Sequence, residues 1–228
     1  MGRVTEPFPP TRREAMTSTG AETEGGDGVL ELRRLVEGTR GVQPWRRLFH
    51  ATNGLLLVAA ALRWPHSGGA FIGGLAVLLA LLALVDWIRL RSGPLNVFFF
   101  RVFRSLASPR EAVGLASSTW YVAGVGLALV LFGRPAALAG VLVLALADPA
   151  ASVVGRLWGR ASLGTGTVEG TLVFAVVAFV AAAAFVPLPA AAAAACAASL
   201  VEPLPWSLDD NLTIPVAAAA GAWIVGAM

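Results

Sequence analysis

The sequence predicts an all-α polytopic membrane protein, a transmembrane helix bundle of about seven spans, and three observations carry that prediction. Apolar residues make up 57% of the 228 residues and charged residues only 14%, with a mean hydropathy of +0.73. Soluble domains carry roughly 25% charged residues. The apolar residues gather into runs, several of them long enough to cross a hydrocarbon core of ~30 Å. The basic residues, finally, sort between alternate loops. All 17 are Arg, and with the N-terminus inside, eight precede the first run, five lie between the second and third, and two follow the fourth. Only Arg63 and Arg134 fall outside, a strong positive-inside bias.

Residues 1–28 are rich in Thr, Glu, Gly and Pro and lack an apolar stretch, so they read as a disordered cytoplasmic tail and not as a signal peptide. Residues 29–47 form a juxtamembrane segment. Within it Val29–Arg40 has an amphipathic pattern that suits either a helix on the bilayer surface or a solvated one. A membrane catalytic domain, residues 48–228, follows. Its spans are Leu48–Leu62, Gly68–Ile88, Ala112–Phe132, Pro135–Val154, Gly170–Val186, Ala190–Val201 and Leu212–Met228. The Ala-rich sixth is short, and six spans result if it is re-entrant. Seven spans put the C-terminus outside. Between the second and third, Pro94–Leu106 reads as an interfacial helix with Leu95, Phe99, Val102 and Leu106 on one face. Trp45, Trp64, Trp87, Trp158 and Trp206 fall near span edges, as an aromatic belt requires. Cys196, the one cysteine, has no partner for a disulfide and reads as a small core residue. Net charge +3 is a topology signal on this reading and gives no reason to expect nucleic-acid binding.

The candidate site centres on Leu144–Thr171. Asp148 lies within or at the edge of the fourth span, where a carboxylate costs ~2.5–3.5 kcal/mol to insert and is therefore a functional candidate. If the helix continues, Ser152 and Arg156 follow on the same face, with Ala151, Gly155 and Gly159 as a small-residue stripe beside them. Arg160, Thr167 and Glu169 follow in the loop leading to the fifth span. A second cluster, Glu202 and then Asp209-Asp210-Asn211, precedes the last span. One N-cap needs one such residue, so three in a row are more than a cap requires. These carboxylates can supply oxygen ligands to Mg²⁺ or Mn²⁺, and the arginines suit polyphosphate. At the first span His50, Asn53 and Gly54 lie one turn apart, and His50 either hydrogen-bonds a phosphate, acts as a base or caps a polar helix end. Asp86 and Arg89, at i and i+3, suit a structural ion pair.

With those residues in view, DPAASVVGRLWGR, TVEGT and LVEPLPWSLDDNLTIP resemble the blocks of the dolichol kinase and phytol kinase family of CTP-dependent lipid kinases. WRRLFHATNG, VDWIRLR and STWYVAG are similar to its earlier blocks, in the same order. The resemblance implies a helical membrane enzyme with a cytoplasmic active site, passing a phosphoryl group from CTP to an isoprenoid alcohol. It implies Asp148, Glu169, Asp209 and Asn211 around the metal and nucleotide, and Arg156 and Arg160 toward the phosphates. This chain departs from it at Gly166, where the family usually carries Lys. Two rivals stay open: a cytidylyltransferase acting on a lipid phosphate, and a small transporter with Asp148 as its ion site.

Overall fold

The computed structural model describes residues 28–39, 43–63, 68–205 and 208–226. The tail 1–27, Trp64 and Trp206 lie outside the described residues. The architecture is all helical. Helix α1 spans residues 28–37, followed by α2 (Pro44–Arg63), α3 (Gly68–Leu90), α4 (Gly93–Val102), a 3-10 turn (Pro109–Ala112), α5 (Ser117–Phe132) and α6 (Arg134–Trp158). A two-residue hairpin, β1 (Ser162–Leu163) and β2 (Gly166–Thr167), leads to α7 (Val168–Ala182), α8 (Leu188–Val201) and α9 (Asp210–Gly226). Each expected apolar run holds one helix, and α3 and α6 are long and apolar enough to cross a membrane by themselves.

Small residues set the packing. Helix α6 runs through the centre and buries Ala136, Ala137, Ala139, Ala145 and Ala147 along with larger neighbours. Helices α7, α8 and α9 meet it and one another through buried alanines such as Ala178, Ala194 and Ala218. Small side chains let membrane helices approach closely, which is where their van der Waals attraction comes from. Gly140 shows how close: a Cβ there would collide with the carbonyl oxygen of Pro215 on α9. Helix α3 is the opposite case. Of its 23 residues only Leu75, Asp86 and Arg89 are buried, so an almost continuous apolar surface faces outward, as lipid contact demands.

Three expectations are corrected. Cys196 is exposed, because Ala190, Ala191, Ala194, Ala195 and Ala198 occupy the inner face of α8. Helix α4 ends at Val102, not Leu106, and its buried residues are Asn96, Val97 and Phe100. Leu95 and Val102 of the expected apolar face are exposed, as contact of that face with the bilayer surface requires. The third span begins at Ser117; the stretch ahead of it folds into the 3-10 turn, closed by the Glu111 carboxylate accepting from the Ser108 amide at 3.1 Å.

Candidate active site

The sequence places a charged or polar cluster at one end of α2, α6, α7, α8 and α9, and the bundle brings five helix ends and two loops around one cavity of about 600 Å³. That volume is in the range of small-molecule sites, ~300–1,000 Å³. Asp148, Ser152 and Arg156 line it from a single face of α6, since the helix continues through Pro149 to Trp158. Asp148 thus sits ten residues, about 15 Å, in from the end of its helix. The small-residue stripe lies alongside: Ala151 and Gly155 line the cavity, with Thr167 and Gly170 opposite. A Cβ on Gly155 would come within 2.8 Å of the Thr167 hydroxyl oxygen, and one on Gly159 within 2.7 Å. These glycines therefore hold α6 against the start of α7, where Thr167 caps the helix by accepting from the Gly170 amide at 3.1 Å.

The hairpin between α6 and α7 is pinned to the loop after α8. The Thr165 amide donates to the Pro203 carbonyl at 3.0 Å, and Gly164 turns the chain with φ +54° where any side chain would strike Pro203. This docking sets Thr165, Gly166 and Thr167 in the cavity wall beside Glu202. Gly166 is not at positive φ, and a Cβ there would meet only Glu202 Oε1, at 3.4 Å. Glu202 accepts from the Thr171 hydroxyl at 3.0 Å. Partial burial raises its carboxyl above the ordinary range, and the charge of Asp148 adds to the effect.

The Asp209-Asp210-Asn211 triplet divides its labour. Asp209 closes the start of α9: its carboxylate accepts from the Asn211 amide at 3.0 Å and from the Asn211 side chain at 2.5 Å. Asn211 is buried, and its side-chain oxygen accepts a hydrogen bond from His50 Nε2. Asp210, ahead of the apolar stretch that begins at Leu212, is the surplus carboxylate. Burial, then the charges of Asp148 and Asp209, push it up to about 7.

Three arginines that the sequence did not single out line the same cavity: Arg46, Arg47 and Arg110. Arg47 donates to the Ser152 hydroxyl at 2.5 Å. Arg46 donates to Ser117 at 2.7 Å, and Ser117 in turn donates to Glu111 at 2.8 Å. Their spacing ahead of His50, at i−4 and i−3, was a usable signal; nothing local marks Arg110. Glu169, Gly159 and Arg160 do not line the cavity. Nearby backbone amides hold the Glu169 carboxyl below its usual range, and its Oε2 is buried without a hydrogen-bond partner among the described residues.

Asp86 and Arg89 lie away from this cavity as a buried pair, 2.7 Å apart. Arg89 also reaches Asn96 and the carbonyls of Glu111 and Gly114, while Asp86 accepts from the Ala116 amide and the Thr119 hydroxyl. Asn53 and Asp86 instead line a second cavity of about 570 Å³ between α2, α3, α4 and α5, walled mainly by Leu, Val and Phe. Arg46 and His50 belong to both cavities.

The expected metal ligands Asp148, Glu202, Asp209 and Asp210 all line the first cavity. Among the described residues, no three His, Cys, Asp or Glu side chains are grouped closely enough to hold a metal by themselves. Mg²⁺ commonly takes only one or two carboxylates plus substrate phosphates. The raised Asp210 carboxyl, crowded by Asp148 and Asp209, is the group a cation would relieve. The donor set fits a metal that arrives with a polyphosphate.

Fold and site together define an all-helical membrane protein with one cavity, rich in guanidinium and carboxylate groups, at one end of the bundle. The chain is 27% identical over 181 residues to CTP-dependent diacylglycerol kinase 1 of Eremothecium gossypii, covering 68% of this chain and 56% of that protein. It thus spans about half the length of that relative. No family model and no solved structure matches it.

Proposed function

We propose that this chain is a CTP-dependent lipid kinase, transferring the terminal phosphoryl group of CTP to the hydroxyl of an isoprenoid alcohol such as phytol, farnesol or a polyprenol or dolichol. One observation carries the reading: a cavity that combines four arginines with four carboxylates opens beside an apolar cavity and shares Arg46 and His50 with it. A phosphoryl-transfer site needs charge neutralisation and in-line positioning more than covalent help from the protein. The similarity to a CTP-dependent lipid kinase supports the donor and the lipid. The motif blocks favour the isoprenoid acceptor.

In this mechanism Arg47, Arg156 and Arg110 grip the phosphates from three sides. The acceptor oxygen forms its bond to the γ-phosphorus while the bond to the β-phosphate oxygen breaks, and CDP leaves. Asp148 orients the acceptor hydroxyl and takes its proton. Asp148 and Asp210, with Glu202 and Asp209 beside them, would hold Mg²⁺, which when bound neutralises phosphate charge. The site lies at the cytoplasmic end of the bundle.

The test is membranes containing the protein, given [γ-³²P]CTP with phytol, a polyprenol or diacylglycerol. Labelled isoprenoid phosphate and CDP are expected. Label confined to pyrophosphate, with cytidine kept on the lipid, would make the protein a cytidylyltransferase. Labelling of diacylglycerol alone would transfer the acceptor assignment to that lipid.

A further inference from the structure

We infer that the apolar cavity is the acceptor's own site: the hydrocarbon tail lies between α2, α3, α4 and α5, and the Tyr121 hydroxyl holds the alcohol oxygen at the neck between the two cavities. This deepens the kinase reading and rests on it. Three observations carry the inference. The cavity wall is built from Leu56, Leu82, Val85, Phe99, Phe103 and Val122, so it suits an alkyl or prenyl chain. Most of its polar groups are already engaged: Ser117 with Arg46 and Glu111, and Thr119 and Asp86 with each other. Little is left there to recognise a large polar headgroup, and a single hydroxyl asks for little.

The third observation is Tyr121. Its hydroxyl is buried and has no hydrogen-bond partner among the described residues, a rare state for a buried polar group. The ring stands edge-on to His50, with centroids 4.8 Å apart, and His50 is a wall of both cavities. The hydroxyl lies against Gly54, where a Cβ would come within 2.5 Å of it and would also strike Ala145, one turn before Asp148 on α6. The hydroxyl is closed off where it stands, so in this inference a small shift of the Tyr121 ring brings this unused O–H donor to an alcohol entering from the apolar side. Donation from Tyr121 to the alcohol oxygen leaves that oxygen's own proton free for Asp148.

The experiment uses the full chain in phosphatidylcholine vesicles and a farnesol analogue with a diazirine on its tail, followed by peptide mapping. Crosslinks are expected at Leu82, Phe103 and Val122, competed by phytol. Leu82→Trp, and Leu56→Trp at the exposed mouth, should cut crosslinking roughly tenfold while binding of CTP is unchanged. Tyr121→Phe removes an unpartnered hydroxyl, so the fold should hold. The KM for the alcohol should rise roughly tenfold with the KM for CTP unchanged. Crosslinks on the outer face of α3, at Val77 and Leu81, or a Tyr121→Phe enzyme with unaltered alcohol KM, would overturn the inference. Crosslinks in the cavity without any phosphoryl transfer from CTP would leave the binding site standing and remove the kinase reading.

Discussion

At the scale of single residues, the site turns on two carboxylates whose surroundings differ. Asp148 faces Ser152 and Arg156 along one helix and lines the cavity. Asp148→Asn keeps the shape and removes the charge, so phosphoryl transfer should fall by at least two orders of magnitude while the melting temperature of the purified protein is retained, as transfer assays and a thermal melt in detergent would show. Joint loss of fold and activity would instead identify Asp148 as half of a structural ion pair with Arg156. Asp210 makes a prediction about pH. Its carboxyl is raised from 3.8 to about 7, so the folded protein holds a proton that the unfolded chain releases between those values. The resulting stabilisation is complete below pH ~4 and lost as pH rises through ~7. In EDTA, Asp210→Asn should therefore melt several degrees above the unaltered protein at pH 8 and together with it at pH 4. Parallel melting curves at every pH would show that Asp210 carries no such shift. Mg²⁺ at pH 8 should narrow the gap, and its apparent affinity should weaken as pH falls below ~7.

At the scale of elements, the Asp86–Arg89 pair ties four of them together. Arg89 leaves α3 to bond Asn96 of α4 and carbonyls around the 3-10 turn, and Asp86 fastens the start of α5. That places Asn96 and its neighbours on the inner face of α4 and leaves Leu95 on the outer one, as an interfacial helix requires. Through Glu111 and Ser117 the same knot holds Arg46 in place. Asp86→Ala leaves a buried guanidinium without its counter-charge and should cost about 3–5 kcal/mol. Asp86→Leu with Arg89→Met should recover only the part due to the unpaired charge, because Asn96, the carbonyls of Glu111 and Gly114, the Ala116 amide and the Thr119 hydroxyl all lose a partner. Thermal melts of the three proteins in one detergent decide it; an unchanged Asp86→Ala would deny the knot its structural role.

At the scale of the whole molecule, charge and polarity gather at one end of the bundle, and a single cavity collects them. An ion path would need charged groups along its length, which counts against transport. The topology prediction follows from the arginines: a reporter fused after Gly164 or Leu208 should read cytoplasmic, and one after His66 should not. Disagreement between the first two would separate the α6–α7 hairpin from the α8–α9 loop. The structure docks these two on each other through Thr165 and Pro203, so such a result would contradict the site itself.

Composition and the apolar runs by themselves determined the all-helical class and one helix in each run, though not every helix end, because backbone polar groups buried in lipid are satisfied within a helix. The spacing of Asp148, Ser152 and Arg156 determined a shared face, since helix periodicity is local. Which residues close the cavity was decided only in three dimensions. Arg110 joins the neighbouring Arg46 and Arg47 from a segment far along the chain, and Asn211 meets His50 across 161 positions. Glu169, central in the sequence motif, does not line the cavity. Cys196 faces outward because five neighbouring alanines pack better against α7 and α9. Local pattern fixes a helix and its faces; the small-residue contacts between helices choose the neighbour each face will meet.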